Sequence, residues 1–542
     1  MVSPFAMKLP NPLKLSILAL CALATLPLRA DDKPDKNAPH PNAEAPKETP
    51  RPAPTPTPPL SVSEHTATVS GKPLKYKVTA GYLTLKEETE KQPGKEGEGK
   101  GDGEANKDNL KPTAKVFYIA YTVEGFEASA RPITYAFNGG PGAASVWLHM
   151  GALGPRRIKL DEMGDGTPPP NKIVDNDYSW LDQTDLVFID PVSTGYSRPV
   201  PGESARSFHG YNEDLQSVAE FIRLYTTQNN RWLSPKLVVG ESYGGLRAAA
   251  IAGYLQERCD LTLNGVIIVS GVLSWQTIAP QPGNDLPYSL YLPSYAASAW
   301  YHKKLSPELQ AMSEEQVRKS AEIFAGGDYL LALSKGNSLS DDDRKKVADR
   351  YAKLTGLPVD LVLRHHLRVP PGRFMDELLK VERRSIGRFD SRLTGLAYEA
   401  DGADFDPSFE LLHSSFTAGI NAYLRSELKF ETDLPYRSLA NVSPWNYGNA
   451  ENRFLDVSDS LAHAMTRNPH LKVWVISGYY DLAVPYFATD YALRQMELDP
   501  SVLKNVRFSK YEGGHMLYTQ EPLLKQFTAD FDEFIGSLGL KN

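Results

Sequence analysis

Ser242 stands in Val238-Val239-Gly240-Glu241-Ser242-Tyr243-Gly244-Gly245, a G-x-S-x-G sequence between the apolar run Lys236–Val239 and an alanine-rich stretch, Leu246 to Leu255. A serine hydroxyl is a poor nucleophile at neutral pH; it needs a base to take its proton and a group to orient that base. A strand, a tight turn and a helix at this point would lift the hydroxyl clear of a sheet and set it at a helix N-terminus. Gly202-Glu203-Ser204 begins in the same way, but Arg206 replaces the closing glycine and no apolar strand precedes it, so it reads as loop. The partners follow in the order Ser, Asp, His. Asp481 comes just past the apolar run Leu471–Ile476, and His515 lies in Tyr511-Glu512-Gly513-Gly514-His515-Met516, before the last helical segment. Of 11 histidines only His515 follows a glycine pair in that final loop; His365 and His366 fall in the middle of the chain, His463 and His470 on or near a surface helix, and His149 beyond a glycine loop. That loop, Asn138-Gly139-Gly140-Pro141-Gly142, directly follows the strand-like Ile133–Phe137. Its backbone N–H groups, with that of Tyr243, have the chemistry of an oxyanion hole. No His/Cys/carboxylate cluster has metal-ligand spacing, so no metal is expected.

These residues need a sheet to hold them. Thr66–Val69 and Leu74–Val78, split by Ser70-Gly71-Lys72-Pro73, alternate as a β-hairpin, and Val116–Tyr121 and Ile133–Phe137 continue the strands. Strand-like Leu186–Ile189, the helical spacing of Asn212–Tyr225, the Ser242 strand and helix, and the strand Gly265–Val269 then succeed one another. This alternation predicts a mostly parallel sheet flanked by helices. From 274 to 440 the pattern turns mainly helical and polar, as expected for a cap inserted into one α/β domain of residues 61–273 and 441–542. Strand logic returns at Leu471–Ile476 and Val506–Phe508, followed by a closing helix from Glu521 to Leu538. Tyr288, Tyr291, Tyr295 and Trp300 either line a pocket below the cap or form its core. Residues 86–112, a Lys/Glu/Gly stretch with almost no apolar content, read as a disordered loop within a hairpin.

Lys8 and Lys14 precede an apolar run, Leu15 to Leu26, ending near Leu28-Arg29-Ala30; residues 1–30 read as an export signal, with a retained N-terminal anchor as the alternative. Residues 31–60, dense in proline, read as an extended tether. Removing the signal leaves Cys259 as the lone cysteine, so rigidity must come from a large core. The expectation is an exported protein, periplasmic or secreted, with no stable membrane span in the mature chain. A net charge of −7 and the lack of a long basic block argue against nucleic acid as a partner.

Asn-Gly-Gly-Pro-Gly before Gly-Glu-Ser-Tyr-Gly-Gly, then Gly-His-Met, resembles the serine carboxypeptidase family, peptidase family S10, and a bacterial-type exported member of it. Asn176-Asp177-Tyr178-Ser179-Trp180 and Phe188–Ser197 support the likeness, which covers roughly residues 115–272 and 440–540. The resemblance implies an α/β-hydrolase fold with Ser242, Asp481 and His515 as nucleophile, orienter and base. It implies Gly140 and Tyr243 as oxyanion-hole donors, and Asn138, Gly139 and Glu241 as the binding site for the free C-terminal carboxylate of a peptide. Two carboxyl groups in a confined site do not both ionise cheaply, so Glu241 is expected to be protonated with substrate bound and activity to favour acidic pH. No cofactor is implied. The chain departs from the family at Ala143-Ala144, commonly Cys-Ser, at Asp190-Pro191, which lacks the intervening Gln, and at Gly244-Gly245, more commonly Ala-Gly. An esterase, amidase or acyltransferase would use the same triad. A catalytically silent cell-envelope binding protein is the alternative of another class, against which the intact triad argues.

Overall fold

Apolar side chains at consecutive, not alternate, positions of Leu237–Val239, Val266–Val269 and Val473–Ile476 demand a sheet buried on both faces. A computed structural model of the chain, describing residues 60–88, 110–397, 405–450 and 453–540, has that sheet. Its strands are β1 Ser61–Val69, β2 Lys72–Glu88, β3 Leu110–Thr122, β4 Ile133–Phe137, β5 Asp185–Ile189, β6 Lys236–Glu241, β7 Gly265–Val269, β8 Lys472–Gly478 and β9 Val506–Tyr511. They lie in the order β1-β2-β3-β5-β4-β6-β7-β8-β9, with the short piece Arg198–Pro199 beside β3. The first three form an antiparallel meander and β3 runs antiparallel to β5; from β5 onward every pairing is parallel. This is the α/β-hydrolase arrangement.

The two faces have separate cores. Leu237, Val239, Ile267, Trp474 and Ile476 point to one, where the Trp180 and Phe531 rings stack 3.6 Å apart. Val238, Val266, Ile268, Val473 and Val475 point to the other, against helices Tyr211–Gln228 and Tyr243–Arg258. The β1–β2 turn is tight because Ser70 and Gly71 both take positive φ (51° and 71°).

The structure refines three expectations. Of residues 86–112, Lys86–Glu88 pair with Leu110–Pro112, so both ends of the charged stretch are strand. Their side chains are exposed, and a ladder held only by backbone leaves no apolar signature. Residues 89–109, like the expected signal and nearly all of the tether, lie outside the described residues. Tyr291 and Tyr295 are buried in a separate apolar cluster, with Tyr288 and Trp300 packed against it, so these rings form core instead of lining a pocket. That cluster runs from helix Leu286–Tyr301 through Glu314–Phe324 and Asp341–Thr355 to Ile386. Within the expected 274–440 insertion, helix Glu410–Ala422 and the segment to Tyr436 instead pack into the core on one face of the main sheet. Among the described residues no helix is long and apolar enough to cross a membrane.

Candidate active site

Strand β6 ends at Glu241 and helix Tyr243–Arg258 begins after a single intervening residue, so Ser242 must turn the chain alone. It does so at φ 60°, ψ −125°, a conformation that costs free energy and persists only when its surroundings enforce it. The enforcement comes from glycines. A Cβ on Gly240 would collide with Gly244 O, one on Gly244 would sit 2.8 Å from Asn138 O, and one on Gly245 would sit 2.7 Å from Gly271 Cα. The Ser242 N–H donates to Val269 O at 3.0 Å, tying the turn to β7. Ser204, by contrast, caps a short helical turn, accepting from the Arg206 N–H.

Asp481 and His515 come together from the ends of β8 and β9. His515 Nδ1 lies 2.7 Å from Asp481 Oδ2, both residues being buried. Asp481 Oδ1 accepts from the Ala483 and Val484 N–H groups at 2.7 and 2.9 Å, which fixes the carboxylate. Burial opposes a charge on His515, but the adjacent Asp481 carboxylate outweighs it and holds the imidazole above its usual pKa. Nε2 has no hydrogen-bond partner among the described residues. With Nδ1–H committed to Asp481, Nε2 is the nitrogen available to accept a proton. His149, the histidine nearest the glycine loop in sequence, is core: its Nε2 pairs with Tyr121 OH at 2.6 Å and burial lowers it to about 3.

The glycine loop is pressed against the nucleophile turn. A Cβ on Gly139 would collide with Tyr243 N and fall 2.6 Å from Glu241 O, while Gly140 takes φ +100°. Behind it, Arg247 Nη1 donates to Asn138 O at 2.8 Å and Arg247 pairs with buried Asp214 at 2.7 Å. Asp190 braces the far end, accepting from Ser145 N–H and Oγ–H at 2.9 Å, and burial lifts its carboxyl to about 6.

Asn138 and Glu241 meet side chain to side chain. Asn138 Nδ2 donates to Glu241 Oε2 at 2.7 Å, and the Leu148 N–H donates to Asn138 Oδ1 at 3.1 Å, so the amide orientation is set. A second donor reaches the same carboxyl oxygen: the Tyr518 hydroxyl donates to Glu241 Oε2. With two donors on Oε2, the proton of a neutral Glu241 belongs on Oε1, where it can donate onward. Burial pushes this carboxyl up to about 7, although His515, Tyr518 and Asn138 all pull it down. Sequence reasoning missed Tyr518, Arg247 and Asp214. Only Tyr518 left a signal, three residues past His515 in one short turn, Leu517–Thr519.

Ser242, His515, Asn138, Gly139, Gly140, Glu241 and Tyr243 all line one cavity of about 780 Å³, a size suited to a small molecule or a peptide end. Asp481 lies behind His515. Among the described residues no cluster of His, Cys, Asp or Glu is placed to hold a metal ion. The arrangement provides a serine on a strained turn, an oriented imidazole, adjoining backbone N–H groups and a neutralisable acid–amide pair. Together these can carry out acyl transfer beside a carboxylate.

The model of the serine carboxypeptidase family matches residues 106–345, which hold the glycine loop and Ser242 and stop short of Asp481 and His515. Over 168 residues the chain is 28% identical to the pheromone-processing carboxypeptidase KEX1 of Yarrowia lipolytica, covering 30% of this chain and 25% of that one. Over 165 residues it is 24% identical to serine carboxypeptidase-like 36 of Arabidopsis thaliana, covering 29% and 32%. The chain thus spans a quarter of the first relative's length and under a third of the second's. The crystal structure of KEX1(delta)p, a prohormone-processing carboxypeptidase from Saccharomyces cerevisiae, aligns over 84% of this chain and 91% of that one. The TM-score is 0.50 at 14% identity, a likeness of fold.

Proposed function

We propose that this chain, which belongs to the serine carboxypeptidase family, removes C-terminal residues from peptides through an acyl-enzyme on Ser242. The observation that carries the reading is the Asn138–Glu241 pair, buried in the same cavity as Ser242 and the His515–Asp481 pair. A general acyl hydrolase needs no such pair. A peptide carboxylate does, because only a neutral Glu241 can donate to it without charge repulsion.

In this reading His515 Nε2 takes the Ser242 proton as Oγ attacks the last peptide carbonyl, while Asp481 keeps the imidazole in its tautomer. The N–H groups of Gly140 and Tyr243 receive the oxyanion. His515 then protonates the departing amine, the C–N bond breaks, and water attacks the ester with His515 again as base. Glu241 Oε1–H, the second Asn138 Nδ2–H and the Gly139 backbone hold the terminal carboxylate. The charged and apolar leader at residues 1–30 supports export of the mature chain.

The test is mass spectrometry of an unblocked decapeptide digested over time, with Ser242→Ala as control. Loss of single residues in sequence from the C-terminus, absent in the variant, supports the reading. Internal cleavage, or turnover of simple esters with the decapeptide intact, would replace it with an endopeptidase or an esterase.

A further inference from the structure

The cavity wall between the catalytic histidine and the carboxylate pair is built of rings. Phe389 lies 4.9 Å from the His515 ring, Phe409 5.0 Å from Phe389, His413 5.2 Å from Phe409 and nearly parallel to it, and Trp147 6.2 Å from His413. Trp147 in turn adjoins Leu148, whose N–H fixes Asn138. The rings therefore form an arc from the proton donor for the leaving amine to the groups assigned to the leaving carboxylate. All of them line the cavity.

A departing amino acid has its amine at one end of this arc and its carboxylate at the other, so the side chain on the carbon between them faces the arc. The wall is braced: His413 Nε2 pairs with Ser438 Oγ at 2.9 Å, and Ser438 O accepts the Ala144 N–H of the glycine loop at 2.9 Å. Burial lowers the His413 pKa, against the pull of the nearby Glu410 carboxylate. Glu241 aside, three carboxylates and the Arg388 guanidinium line the same cavity. Glu410 and Asp376 are exposed; Asp406 Oδ1 accepts from the N–H groups of Arg388 and Ser408 at 3.1 and 3.0 Å, while its Oδ2 lies 3.9 Å from Arg388 Nε. The Arg388 guanidinium covers Phe389, 4.6 Å from the ring centre, and is itself offset by the Asp406 carboxylate.

We propose that Phe389, Phe409, His413 and Trp147 form the subsite for the side chain of the released residue, and that they select large apolar C-terminal residues over basic, acidic or small ones. The proposal rests on the carboxypeptidase reading and names its substrate class. An apolar pocket discriminates by size, each missing methylene lowering kcat/KM by about tenfold or more.

The experiment is kcat/KM for N-blocked Ala-X dipeptides with X = Phe, Leu, Lys, Glu and Gly, on the full chain and on Phe409→Leu and Phe409→Ala. The expected order is Phe and Leu first, at least about tenfold above Lys, Glu and Gly. The Phe-to-Gly ratio should fall about tenfold in Phe409→Ala and less in Phe409→Leu, through KM more than kcat. Lys hydrolysed first, or a Phe-to-Gly ratio unmoved by both variants, overturns the subsite and leaves the carboxypeptidase reading standing. Hydrolysis of none of the five overturns that reading and the subsite with it.

Discussion

Gly139, Gly240 and Gly244, packed around the turn that carries Ser242, and Phe389, Phe409 and His413, on the cavity wall, are held in place by different means. On the glycine side backbone meets backbone, with no room for a Cβ, so position is dictated by the sheet and the turn. On the ring side partly buried side chains touch one another at 5 to 6 Å, and position depends on packing between segments distant in sequence. The first kind of construction fixes the reacting groups to a fraction of an ångström, which acyl transfer requires. The second tolerates changes of side-chain size, which lets it set which residue is accepted without disturbing the chemistry.

Substitutions on the glycine side should therefore break the enzyme. Ser242→Ala should lower kcat by about a millionfold and abolish labelling by a fluorophosphonate probe, with the fold unchanged. Gly139→Ala drives a methyl into Tyr243 N and Glu241 O; thermal unfolding should show a loss of about 1–3 kcal/mol, and peptide hydrolysis should fall with it.

In Glu241→Gln a glutamine amide imitates the protonated acid. The substitution should cost less than about tenfold in kcat/KM at pH 5. Wild-type KM should rise as pH climbs through about 7, the value to which burial lifts Glu241, while the variant's should stay level. The acid limb, set by His515 beside Asp481, should remain. The sign for stability is the same: the folded state binds this proton more tightly than the unfolded chain. The stabilisation is thus present at acid pH and lost as pH rises toward about 7. The wild-type melting temperature should fall relative to Glu241→Gln over that interval.

Tyr518→Phe removes a donor that favours the Glu241 carboxylate, so the alkaline rise in KM should move to higher pH, with a stability cost of about 1 kcal/mol. A merely structural tyrosine would leave the pH profile where it was. The smallest effect belongs to Ser204→Ala, which loses the cap of a surface turn, about 0.5 kcal/mol, and should leave hydrolysis unchanged.

The two regions were also unequally legible in the sequence. Gly240, Gly244, Ser242 and the Asn138–Gly142 loop lie in short contiguous runs, because a tight turn needs its residue types at neighbouring positions. Asp481 and His515 were found by order, each following an apolar strand. Phe389, Phe409 and His413 carry no such mark. They sit in irregular chain or at a helix start and meet only because the hairpin in which Arg384–Ile386 pairs with Thr394–Leu396 brings Phe389 beside His515. The same holds for Arg247, whose partner Asp214 is 33 positions away, and for Tyr291 and Tyr295, whose aromatic character fits a pocket and a core equally well. The strands were legible where they are buried. Lys86–Glu88, exposed and held by backbone alone, carry the sequence signature of a loop.

If Asn138 and Glu241 read a carboxylate beside Ser242, the enzyme must distinguish a free C-terminus from a blocked one. The most direct measurement of this is the ratio of kcat/KM for an N-blocked dipeptide acid to that for its C-terminal amide, at pH 5 and pH 8. The ratio should stand well above one at pH 5 and fall at pH 8, with the fall absent in Glu241→Gln. A ratio near one at both pH values would contradict that reading, leaving a serine acyl hydrolase that ignores the substrate's terminus.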